Sequence, residues 1–170
     1  MIYEMKNCID GSEPVYKTTV EITESDEMLR FVFDAEHSEL FCCERGYNNI
    51  HSLGDACEIL IGTSEKRDLY YEIEINPEGD LMIARMTNRG VDGEGKPILD
   101  IDFVSEPFID ARTEKTGNGY RAYLSFSKKS ILCVRSRCES SKLRVISPIS
   151  LPMRTSSLSV APRKLFPRAK

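Results

Sequence analysis

Tryptophan is absent from this sequence of 170 residues, and histidine occurs only twice. Other absences narrow the function further. No stretch approaches the roughly 20 apolar residues that a membrane helix needs, so no membrane partner is expected. The opening residues Met1-Ile2-Tyr3-Glu4-Met5-Lys6 are broken by charge and lack the apolar run of a secretory leader. A cytoplasmic location is expected, or an extracellular one if the chain is part of a larger secreted protein. No phosphate-binding loop, dinucleotide fingerprint or G-x-S-x-G elbow occurs, so a non-enzymatic protein is expected.

Metal and disulfide frameworks are also poorly supported. The six cysteines are Cys8, Cys42, Cys43, Cys57, Cys133 and Cys138, and no C-x-x-C pair is among them. His37 and His51 lie near Cys42, Cys43 and Cys57, but zinc ligands usually come in closely spaced pairs, and none is present. Reduced, partly buried thiols are the expectation.

Acidic residues are scarce in one part of the chain only. Residues 1–120 hold 11 basic and 26 acidic side chains, a net of −15, whereas residues 121–170 hold 12 basic residues and the single acid Glu139, a net of +11. The basic part is rich in Ser, Arg and Pro. Its charge raises nucleic acid as a partner, but few aromatics are interleaved with it, so that role is disfavoured. The expected division is a body over residues 1–126 and a basic segment over 127–170, which is partly closing strands and partly without assigned structure.

What is present through residue 126 is alternation of period two. Leu29, Phe31 and Phe33 fall on one face of a strand, with Arg30, Val32 and Asp34 on the other. Tyr71, Ile73 and Ile75 likewise oppose Tyr70, Glu72 and Glu74. Asn76-Pro77-Glu78-Gly79-Asp80 is turn chemistry, and Leu81–Met86 reads as the partner strand. Thr116-Gly117-Asn118-Gly119 contains Asn-Gly, a strong hairpin signal. Strands are expected at 15–23, 29–34, 55–62, 69–76, 81–86, 98–104, 108–113 and 120–126, with a long loop over 36–54. This pattern predicts an all-β protein, an antiparallel β-sandwich of immunoglobulin or jelly-roll type.

Two stretches then suggest a family. Gly54-Asp55-Ala56-Cys57-Glu58-Ile59-Leu60-Ile61 is followed by Tyr70-Tyr71-Glu72-Ile73-Glu74-Ile75-Asn76-Pro77-Glu78-Gly79. Together with Leu29–Glu36 upstream, the series resembles the carbohydrate-binding modules of family 9 and the wider DOMON-like sandwiches, over roughly residues 15–126. The resemblance implies sugar binding without catalysis, and calcium as an ion of the scaffold. Characterised modules of that family grip a sugar between tryptophan rings. Here the loop before Gly54 offers Tyr47, and the end of the chain offers Phe166.

The candidate sugar-binding residues are Tyr47, Glu58, Tyr70, Glu72, Arg85 and Tyr123. Glu58 matches the family's D-x-x-E-I segment, and its alternative is an exposed strand carboxylate. Tyr70, Glu72, Glu74 and Arg85 are expected to form a polar patch across the hairpin. Their alternative is cross-strand pairing worth under about 1 kcal/mol per pair. Tyr123 and Arg121 face outward on a later strand. Asp92, Glu94, Asp100 and Asp102 form an oxygen-rich stretch that makes calcium a candidate, but it lacks the EF-hand ligand series. A protein-interaction scaffold with a lost sugar slot is the alternative function.

Overall fold

A computed structural model describes residues 1–7, 10–50, 54–62, 68–132 and 144–146. Cys8, His51, Cys133, Cys138 and Phe166 lie outside the described residues.

Among the described residues, ten strands form two five-stranded sheets in which every pair is antiparallel. The first sheet takes β1 (Ile2–Glu4), β2 (Thr18–Glu24), β3 (Met28–Glu36), β9 (Gly119–Ser127) and β8 (Asp110–Thr116), in that spatial order. The second takes β10 (Arg144–Ile146), β4 (Cys57–Gly62), β5 (Leu69–Ile75), β6 (Leu81–Val91) and β7 (Pro97–Phe103). A short helix, α1 (Lys128–Leu132), follows β9. The expected sandwich is present. Strand β1 was not expected, β10 falls in the segment where closing strands were expected, and β6 runs five residues past Met86 with a bulge between Asn88 and Gly90. The strand expected at 108–113 begins two residues later, at Asp110. Phe108 belongs to the connection from β7 to β8, where its ring meets Tyr71 edge-on at 5.6 Å.

The core lies between the sheets and follows the alternation. Leu29, Phe31, Phe33, Ala122, Leu124 and Phe126 come from the first sheet; Ile59, Ile61, Tyr71, Ile73, Ile75 and Ile83 come from the second. Phe31 and Phe126 stack at 5.8 Å, and Ile131 of α1 is fully buried against the same cluster. A polar link crosses the core between the Cys57 thiol and the Tyr120 hydroxyl, at 3.1 Å. Burial pushes that thiol up to about 12, so Cys57 is a packed, unreactive group.

The Gly54-Asp55 pair pins the long loop to the sandwich. Asp55 is buried, and its carboxylate accepts the Phe41 N–H at 2.7 Å while its own N–H donates to the Phe41 carbonyl. A side chain at Gly54 would meet that carbonyl at 2.9 Å. His37 faces Asp55 at 3.9 Å, and its Nδ1 accepts the Glu39 N–H.

Gly119 is required by close approach. A Cβ there would sit 2.0 Å from the Ala35 carbonyl oxygen and 2.9 Å from the Glu36 Cα, both backbone atoms. Gly119→Ala should therefore part β3 from β9 and cost about 2–3 kcal/mol, whereas Gly93→Ala, with nothing near it, should stay within about 0.5 kcal/mol of the parent. Urea midpoints of the two variants check this.

Candidate functional site

Antiparallel register decides which side chains meet. Glu58 on β4 lies directly across from Glu74 on β5, and Leu60 lies across from Glu72. On the other side of β5, Tyr70, Glu72 and Glu74 oppose Met86, Ala84 and Met82 of β6. All of these point away from the sandwich core. Met82, Ala84 and Met86 are nonetheless buried, because Ile50 of the long loop packs with them and Tyr70 and Leu99 close the flank. The result is a half-covered face with an apolar floor and three carboxylates beside it.

The carboxylates are close enough to interact strongly. Oxygens of Glu58, Glu72 and Glu74 lie within 4.8 Å of one another. Glu74 is buried, and the other two are half-buried. Burial and the charge of Glu72 push the Glu58 carboxyl up to about 8. Burial, with Glu58 and Glu72 nearby, pushes Glu74 up to about 9, and Glu74 shares a hydrogen bond with Glu72. Tyr70 is raised too, first by burial and then by Glu72 and Glu58. Like charges at this separation in a partly dry setting cannot all ionise, so the cluster holds protons at neutral pH. A protonated carboxyl can donate a hydrogen bond, while its ionised neighbour only accepts. The face therefore offers both kinds of partner.

Three of the six candidate residues, Glu58, Tyr70 and Glu72, thus share one face. The description of Glu58 as an exposed strand carboxylate is corrected by its half-buried position. Arg85 requires a second correction. It pairs with Tyr71, not with Tyr70 or Glu72, and so it lies on the opposite face of the sheet. The turn joins Ile75 to Leu81, and from there odd-numbered residues of β5 meet odd-numbered residues of β6. Arg85 instead forms an ion pair with Asp102 of β7.

The other two lie apart. The Tyr47 hydroxyl donates to the Val104 carbonyl at 2.8 Å, on the β6–β7 side. Beside it Asn48 bonds both Val104 and Ile83. Tyr123 stands on the outer face of the first sheet.

Glu74 and the apolar floor completed the site beyond the candidate residues. The alternation in 70–74 already placed Glu74 with Tyr70 and Glu72. The methionines gave no signal in sequence, since they become a floor only when the loop brings Ile50 over them.

A hard cation could draw on the three carboxylates, although calcium usually takes six to eight oxygens. The expected calcium stretch is occupied by protein donors. Asp92 accepts the Glu94 and Lys96 N–H groups, and Asp100 and Asp102 are paired with Arg89 and Arg85.

No family model matches the chain, and no curated protein matches it in sequence. Among solved structures, it is similar to a crystal structure from Bacteroides uniformis described as a "putative carbohydrate-binding protein". The two share 10% identity at a TM-score of 0.61, over 84% of this chain and 65% of the other. That likeness shows a shared fold. The chain spans about 65% of the length of that protein.

The proton-holding cluster makes stability depend on pH. Glu58 and Glu74 have folded values near 8 and 9 against an ordinary 4.5. Between those limits the folded chain binds more protons than the unfolded one, so stability falls as pH rises. Urea unfolding of the parent from pH 5 to 9.5 should show that fall, and Glu74→Gln, which removes the charge and keeps the shape, should flatten it.

Proposed function

We propose that the protein is a non-catalytic carbohydrate-binding module that takes a mono- or oligosaccharide on the outer face of its second sheet, around Glu58, Tyr70 and Glu72. The observation that carries this reading is the convergence of three carboxyl groups and a phenol beside an apolar floor. Vicinal sugar hydroxyls both donate and accept, and a mixed protonated and ionised carboxyl cluster answers both needs. The C–H face of a pyranose suits the Tyr70 ring and the Met82 and Met86 floor. The resemblance of the Gly54–Ile61 and Tyr70–Gly79 stretches to family 9 modules supports the same reading. So does the fold shared with the Bacteroides uniformis protein.

Catalysis does not fit the arrangement. A glycosidase needs two acids about 5–9.5 Å apart on either side of the scissile bond. Here the acids crowd within 4.8 Å on neighbouring strands of one face. Without a tryptophan clamp the affinity should be modest. A Kd of about 1 mM corresponds to about −4 kcal/mol.

One further observation favours a protein-interaction role. Strand β7 is a sheet edge, and Ile98, Ile101 and Phe103 are 45%, 53% and 47% exposed along it. Recovery of one stoichiometric protein partner, together with silence toward sugars, would decide for that alternative.

Glycan-array screening followed by calorimetric titration tests the sugar reading. Tyr70→Ala and Glu72→Ala should each weaken binding by about tenfold or more, which corresponds to about 1.4 kcal/mol of lost contact, with the far-UV spectrum unchanged. Flat responses to every sugar at millimolar concentration would overturn the proposal.

A further inference from the structure

The outer face of the first sheet carries an ordered array of a different kind. The registers of β3, β9 and β8 set three rows across it. Arg30, Ser125 and Asp110 form one row; Val32, Tyr123 and Arg112 the next; Asp34, Arg121 and Glu114 the third. The third row is closed by its own charges. Arg121 pairs with Asp34 and Glu114, and the Tyr123 hydroxyl donates to Glu114 at 2.5 Å.

The first two rows line a groove of about 430 Å³. Its walls are chemically unlike the carboxyl cluster on the other sheet. The Arg112 guanidinium carbon lies 3.6 Å from the centroid of the Tyr123 ring, which holds both side chains in place. Arg30 makes no ion pair among the described residues, and neither does Asp110. Arg112 also pairs with Glu114 of the third row at 3.4 Å, so Arg30 is the guanidinium of the groove whose charge is left for a ligand. Arg30 and Asp110 are two strands apart, which is about 10 Å, with the Ser125 hydroxyl between them and Val32 and Tyr123 alongside.

We propose that this groove is a second binding site, for a sugar unit that bears a carboxylate, a uronic acid of an acidic glycan. Each lining group has a counterpart in such a unit. Arg30 can fork onto the carboxylate through two parallel N–H bonds. Asp110 only accepts, so it takes hydroxyl protons and disfavours a second negative charge. Ser125 does either. Val32 and the edge of the Tyr123 ring, one face of which Arg112 covers, receive the C–H groups of the sugar ring. A phosphate or sulfate ion alone would use the guanidinium and leave the apolar floor and Asp110 without a role. The volume lies within the range of small-ligand clefts. The site is independent of the face around Glu58, because the two lie on opposite outer surfaces of the sandwich.

Titration calorimetry of the full chain with galacturonate and glucuronate oligosaccharides tests this, beside the same oligosaccharides with the carboxyl reduced to an alcohol and beside acetate alone. The uronates should bind at least about tenfold more tightly than their reduced counterparts, as expected for the loss of a charge-assisted hydrogen bond. Binding should weaken as salt is raised. Arg30→Ala should remove most of that preference, Arg30→Lys should restore part of it, and Tyr70→Ala should leave it unchanged. Equal affinity for uronate and reduced forms, full uronate binding by Arg30→Ala, or acetate binding as tightly as the uronates would each overturn the proposal. Loss of uronate binding in Tyr70→Ala would also overturn it, by moving that binding to the other face.

Discussion

The register of the hairpin between β5 and β6 is the constraint on which the rest depends. Asn76 sets it. Its side-chain oxygen accepts the N–H groups of Glu78 and Asp80, at 3.0 and 2.9 Å, and Gly79 supplies the positive φ of +85° that closes the turn. Ile75 is then opposite Leu81, and every later pair follows by parity. A slip of one residue would turn Glu72 and Glu74 into the sandwich and expose Tyr71 and Ile73. Asn76 is itself buried, so the turn is held inside the structure and not left to solvent.

That register creates an unfavourable grouping and then contains it. Glu58, Glu72 and Glu74 are brought together on a face that the long loop partly shields. Desolvation and mutual repulsion both disfavour ionisation there. Protonation relieves the repulsion, so the groups remain tolerable as shared carboxyls. A purely structural strand would gain more from apolar residues at these positions, because burying acids costs stability. Local cost of this kind is often retained where a surface must recognise something polar.

The two outer faces divide the chemistry. One presents carboxyl groups and a phenol beside methionines; the other presents guanidinium groups, a ring and Asp110, a carboxylate with no ion pair among the described residues. Their separation follows from the sandwich itself, whose inner faces are filled by aliphatic and aromatic side chains. Each outer face is then free to vary without disturbing the core, which is why a fold of this kind can hold recognition surfaces on either side.

Much of the fold was legible in the chain. Period-two alternation in 29–34, 69–76 and 120–126, with turn residues between, is enough for an antiparallel sandwich. It also assigns Tyr70, Glu72 and Tyr123 to outer faces, because side-chain direction in a strand is a local property. The partners across strands were not legible to the same degree. Arg85 was grouped with Glu72, although the parity of the turn puts it opposite Tyr71. The half-burial of Glu58, the floor of Met82 and Met86 beneath Ile50, and the grid around Tyr123 arise from strands far apart in sequence. Sequence alone determined the alternation of sides within each strand; tertiary structure decided which side Arg85 takes and which outward residues meet, because pairing and loop packing are non-local and alternation carries no record of them.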